Sequence, residues 1–515
     1  MGFTRIIGTT NDLGAERVVI ESPAGAFGEL SVVTLRPQSQ GDFVYGTVNT
    51  QTFTTASYVG SSVTPVNGVC EVSSGTDANG KGLVKLRRGL KYRPGQGSMM
   101  RFTAIYDTPA VGNNQYGGVS NEECGYLIGY SGSAFGILHQ ETSQLEIRRL
   151  DVTTAVNTNE IVTVTLNGES IQIPVTGSNS LTQTAYQLAQ GDYTQIGGNS
   201  GGFQADVVSG SVFFISAKPT TEATGVYSVS GGSIVGSFTR IKAGSLGQET
   251  FIPSDSFNLD RLDGLGPSGV VLDPQKGNVY QIEFQYLGFG NAKFQIGNPE
   301  TGFFIPFHVI KNSNSRTTPV LKNPNVSAIV KSENTTGTTS KTIKTASMAT
   351  FIEGDVIKLD PKFARSFAFV DVTEADFTPL AVIKANKVFN DETCFGEFDI
   401  LRLAASNTTV SSGKNLTVGF FLGAEIGGDV NFEYQDAEQS IVSYAVLTPD
   451  GVGKNTIDNL SEISPFYEIV LTSGNSNTEN LDSLEFLFAG GQEMLIAIKG
   501  NNVDGDVSVN WFEQQ

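Results

Sequence analysis

The sequence predicts an all-β protein: a multi-domain antiparallel β-sandwich or jelly roll with a small α+β module inserted into it. Three observations carry this expectation. Glycine is abundant, 59 of 515 residues, and falls in short bursts between apolar runs, the punctuation of many strands and tight turns. The apolar runs are short and rich in branched and aromatic residues, with 33 Phe against one Trp, which suits sheet cores. One segment only, Ser180 to Gln190, places Leu181, Ala185 and Leu188 on a single helical face, with a serine to cap it and Gly191 to end it.

Taken in order, residues 1–35 form an N-terminal segment with strand candidates at Glu16–Glu21 and Glu29–Leu35. Residues 36–151 and 240–310 form a β-sandwich in two parts. Its clearest strands are Met99–Tyr106, Gly125–Tyr130 and Phe135–Leu138, then Tyr280–Leu287 and Phe303–Ile310. Between the two parts, residues 152–239 read as the inserted α+β module. There Val162–Leu166 and Ile171–Val175 flank Asn167-Gly168, one of the strongest short-range hairpin signals. Residues 311–350 read as a linker or a meander of edge strands, with a low-complexity Asn/Thr/Ser core. Residues 351–515 form a C-terminal sandwich or jelly roll closed by Val507–Trp511, in which Val507, Val509 and Trp511 share one face.

Composition narrows the function. Lys and Arg number 33 against 52 Asp and Glu, a net charge of −19, which disfavours contact with phosphate backbones. Charged residues are only 17% and mean hydropathy is −0.07. No secretory h-region opens the chain, and no run is long and apolar enough to span a bilayer. Met1-Gly2 invites lipidation, but Ile6 stands where that motif needs Ser or Thr. Cys70, Cys124 and Cys394 lie too far apart for a metal or redox motif and read as small hydrophobes.

No catalytic motif stands up. His139 and His308 are the only histidines, and Gly198-Asn-Ser-Gly-Gly202 lacks the strand-to-helix setting of a nucleophile elbow. Asp77-Ala-Asn-Gly80 has a few ligands of a calcium loop but reads as an Asn-Gly turn. The expectation is therefore a non-enzyme without cofactor or metal. Two binding candidates emerge. The tract from Asp107 to Glu123, with Pro109 and paired glycines, reads as a long exposed loop. Its Asn113, Asn114, Gln115 and Tyr116 offer amides for sugar hydroxyls and a face for stacking. Lys81, Lys85, Arg87, Arg88, Lys91 and Arg93 form the densest basic cluster, a docking candidate for an acidic neighbour.

A resemblance points the same way. The phrases LKYRPGQG, FTAIYD and GYLIGYSGSAFGILH, with VYQIEFQYLGFGN and the terminal VSVNW, are similar to segments of virion surface and structural proteins of large DNA viruses and marine tailed phages. The resemblance implies a spike, fibre, penton-like or minor capsid component, made in the host cytoplasm and located on the virion. Its partners would be itself, as a homotrimer, other virion proteins and host-surface glycan, with no nucleic acid and no membrane insertion. The alternative is a carbohydrate-binding module or adhesin outside a virion. A glycan-degrading surface enzyme is the third reading, since a glycosidase needs only two carboxylates that spacing cannot reveal.

Overall fold

A computed structural model describes residues 7–10, 16–19, 35–91, 95–220, 224–354, 362–449, 453–481 and 486–514. The chain divides into two compact units, Met1–Ser143 with Leu246–Ile357 and Gln144–Ser245 with Lys358–Gln515. The strand expected at Glu29–Leu35 falls, apart from Leu35, outside the described residues. Both units are built from antiparallel sheets, so the all-β sandwich class stands.

The first unit pairs a seven-stranded with a six-stranded sheet. The larger runs, edge to edge, through Glu249–Pro253, Ala134–Gln140, Gly125–Ser131, Asn113–Ser120, Ser327–Asn334, Lys81–Leu86 and Phe53–Tyr58. The smaller runs through Phe304–Ile310, Ala292–Gly297, Asn278–Phe284, Ser98–Ala104, Ser347–Glu353 and Leu35–Asp42. Residues of alternate parity point inward from each strand. Tyr126, Ile128 and Val330 of the larger sheet thus meet Phe102, Tyr280, Ile282 and Phe294 of the smaller in one apolar core. Tyr106 sits at its centre, edge-on to Tyr130, Phe135 and Tyr280, and its hydroxyl donates to the Ile128 carbonyl at 2.7 Å. That bond satisfies a phenol that would otherwise be costly to bury.

Two expectations are corrected in this unit. The tract from Asp107 to Glu123 is not one long exposed loop: Asn113–Ser120 is an interior strand, hydrogen-bonded to Gly125–Ser131 on one side and Ser327–Asn334 on the other. Its glycines serve packing. A Cβ on Gly117 would lie 2.3 Å from the Phe102 ring, so glycine here lets the two sheets approach. Residues 311–350 are not a linker either. Ser327–Asn334 is an interior strand of the larger sheet, and Ser347–Glu353 pairs with Ser98–Ala104 in the smaller. The low-complexity residues 335–341 form the turn between neighbouring strands.

The second unit has its own sandwich. A five-stranded sheet, in which Val503–Gln514 lies between Lys362–Val372 and Glu397–Asn407, faces a six-stranded sheet centred on Thr378–Ala385 and Glu493–Gly500. Val507, Val509 and Trp511 share the inner face as the alternation implied, packed with Phe398, Phe420 and Ile496. The six-stranded sheet is apolar on both faces, and every residue of Thr378–Ala385 is buried. On its other face Val382, Phe421, Ala445 and Leu495 join one core with Val164, Leu188, Phe203 and Phe214. Those last residues come from a four-stranded and a three-stranded sheet and the helix Leu181–Ala189. The Asn167-Gly168 turn joins Glu160–Leu166 to Glu169–Val175, with Asn167 at φ 50 and Gly168 at φ 88. Ser180 caps the helix by accepting from the Gln183 N–H at 3.2 Å.

Candidate functional site

The structure disperses the residues expected to bind. Asn113 and Gln115 are buried, and their amides serve the fold. Asn113 Nδ2 donates to Asn334 Oδ1 at 2.9 Å and Ser74 Oγ at 3.1 Å, while Gln115 Oε1 accepts the Asp107 N–H at 2.8 Å. Asn114 Oδ1 accepts from Gly132 N–H at 3.2 Å. The Tyr116 ring is 1% exposed and presents no stacking face; its burial pushes the phenol well above its ordinary acidity range. The basic cluster is likewise no exposed patch. Lys81 is buried in an ion pair with Glu122, Lys91 is buried, and Lys85, Arg87 and Arg88 are half-buried. Arg87 Nε donates to the Thr50 carbonyl at 2.9 Å, and Arg93 lies outside the described residues. Lys81 is thus taken up by a local carboxylate and Arg87 by a local carbonyl.

A different group of residues forms a cleft of about 500 Å³ in the first unit. Each sandwich sheet ends on this side with an edge strand, Glu249–Pro253 of one and Phe304–Ile310 of the other. The chain from Lys311 to Thr318 runs along the opening. His139 forms part of the floor, Ile252 and Ile310 supply apolar wall, and Gln248, Thr250, Ser315 and Thr317 stand at an exposed rim.

Below the rim lies a fixed polar triad. Arg316 donates to both carboxylate oxygens of Glu141, each contact 2.6 Å. Glu141 is 1% exposed, so this fork-to-fork pair is what makes its charge tolerable. The pairing raises the Arg316 guanidinium above its ordinary value. His139 stacks on Tyr126 with ring centres 4.8 Å apart. Its Nε2 lies 2.9 Å from the Val320 carbonyl oxygen, which only accepts, so Nε2 carries the proton. The Nδ1 lone pair then faces Glu141 at 3.4 Å. Burial holds the ring's pKa below its ordinary value, against the pull of the Val320 carbonyl and Glu141, with Arg316 adding to the lowering. Glu141 takes two of Arg316's five N–H donors, and the Arg316 side chain lines the cleft.

Ser315 Oγ donates to the Asn312 carbonyl at 2.7 Å, and among the described residues no Asp or Glu lines the cleft. The sequence offered no local sign of the site, because its parts come from residues 139–141, 248–252 and 310–318. Among the described residues, no group of three His, Cys, Asp or Glu side chains is arranged to hold a metal.

No family model matches the chain. No curated protein matches it. Among solved structures it is similar to an endo-acting O-glycanase of the human gut microbiota, at 7% identity and TM-score 0.29, over 62% of this chain and 100% of that one. It is also similar to the Emp47p carbohydrate recognition domain, at 9% identity and TM-score 0.25, over 62% of this chain and 97% of that one. A third is the winged bean acidic lectin complexed with methyl-α-D-galactose, at 10% identity and TM-score 0.22, over 62% and 99%.

Proposed function

We propose that this is a non-catalytic carbohydrate-binding protein, and that a saccharide sits in the cleft above the Glu141–Arg316 pair. The observation that supports it most is the lining. Amide and hydroxyl side chains stand at the rim, short apolar walls suit the C–H faces of a sugar, and Arg316 is held in place by Glu141. The cleft has the volume of a small-ligand site rather than a protein interface. The same lining argues against hydrolysis. Glycoside cleavage uses a pair of carboxyl groups flanking the bond; none is among the residues that line the cleft, and Glu141 is locked by Arg316.

The test is a glycan array probed with the wild-type chain. Saturable binding to a defined subset of glycans, with the bound glycans recovered intact, is the expected result. Absence of binding to every glycan, or release of shortened products, would overturn the reading.

A further inference from the structure

A second constellation lies in the other unit, where the strand Phe203–Val208 packs beside Thr378–Ala385. Lys384 and Asp206 are each under 6% exposed, and Lys384 Nζ lies 2.7 Å from Asp206 Oδ1. The ammonium also donates to the Val207 carbonyl at 2.5 Å and sits 4.1 Å from the centre of the Phe432 ring. Asp206 Oδ2 accepts the backbone N–H of Lys387 at 2.7 Å, and Oδ1 accepts that of Val207 at 2.9 Å. Glu493 is the register partner of Lys384 on the neighbouring strand, and its charge interacts with those of Lys384 and Asp206.

From this geometry we propose that Lys384 and Asp206 condense without any other enzyme into an intramolecular isopeptide bond, with Glu493 as the proton shuttle. The contact distance and the enclosure give the two groups a high effective concentration. The ammonium passes one proton to Asp206 Oδ1, which frees its lone pair. That pair forms the new C–N bond at Cγ, and the C=O electrons move to Oδ2, where the Lys387 N–H is already aimed. Glu493 protonates Oδ1, the C–O bond breaks, and water leaves with the bonding pair. The nitrogen's surplus proton returns to Glu493. One ammonium and one carboxylate thus become one amide and one water, and no oxidant or cofactor is needed.

The supporting electrostatics agree. Burial pushes the Glu493 carboxyl above its ordinary value, against the pull of Lys384, which favours the proton-carrying form the shuttle needs. An enclosed ion pair is a weak source of stability because both charges lose water, whereas the amide product is neutral.

The experiment is intact-mass spectrometry of the full chain, with a proteolytic map. The wild type is expected one water lighter than its sequence and to yield a branched peptide joining Asp206 to Lys384. Lys384→Arg keeps the charge pair but its guanidinium does not condense, so it is expected at full mass. Asp206→Asn is expected to lose ammonia in place of water. Glu493→Gln is expected to remain at full mass, and rapid cross-linking in it would overturn the assigned shuttle. Wild-type protein at full mass, or a water loss that persists in Lys384→Arg, would overturn the cross-link. If a variant fails to fold, the wild-type peptide map decides alone.

Discussion

Glu141 and His308 show how single buried groups set the behaviour of the first unit. Replacing Arg316 by Met leaves Glu141 enclosed without its partner, and breaking such a pair costs about 3 kcal/mol. Urea denaturation is expected to register that loss, and Glu141→Gln added to the same chain is expected to recover most of it. A loss within about 0.5 kcal/mol, the range of ordinary surface changes, would mean the pair is not structural. His308 is buried, its Nδ1 accepts the Asn258 N–H at 3.2 Å, and burial lowers its pKa from 6.5 to about 4. The unfolded chain therefore binds the proton first, and folding stability from this residue is lost as pH falls from about 6.5 to about 4. A His308→Gln variant is expected to show a flatter dependence of melting temperature on pH across that window. Carboxylates titrate in both proteins, so the difference between the two curves isolates the histidine. Parallel curves would contradict the assignment. Neither role was legible in the sequence, because a histidine's burial depends on strands far from it in the chain.

At the scale of elements, legibility followed the range of the interactions. The Asn167-Gly168 hairpin and the Ser180-capped helix were readable because the turn and the cap are settled within a few residues. The alternation through Val507, Val509 and Trp511 was readable for the same reason. The strand Asn113–Ser120 was not. Its amides and glycines look like loop chemistry, yet the amides bond residues distant in sequence, such as Asn334, and Gly117 admits Phe102 from the facing sheet. This gives a direct test. Gly117→Ala in an exposed loop would cost little, but at this contact it forces a core ring aside, at about 2 kcal/mol. Chemical denaturation reads the difference, and an unchanged midpoint would return the segment to the surface.

At the scale of the whole molecule, the expectation of a free-standing insertion at residues 152–239 meets a shared core. Val164, Leu188 and Phe214 cover Val382, Phe421 and Leu495 of the C-terminal sandwich, and Ser180 and Thr182 both donate to Asp429. Replacing 152–239 with a short flexible linker would uncover that apolar face. The expected outcome is aggregated or insoluble protein; a soluble, cooperatively melting product would show instead that the segment is dispensable. Assembly as a homotrimer on a virion surface remains the proposal raised by the sequence resemblance. Light scattering of the purified chain tests the trimer, with a 54.8 kDa particle across the micromolar range as the contrary result. Immunolabelling of purified particles tests the location.

The central claim, glycan recognition by the cleft, is tested most directly at its rim. Gln248 and Lys311 are both exposed, so Gln248→Ala with Lys311→Ala is expected to leave the melting temperature unchanged. The measurement is titration calorimetry of wild type and double variant with a glycan selected on the array. The variant is expected to bind at least tenfold more weakly, about 1.4 kcal/mol, at equal melting temperature. Equal affinity for the two proteins would contradict it and place glycan recognition elsewhere on the molecule.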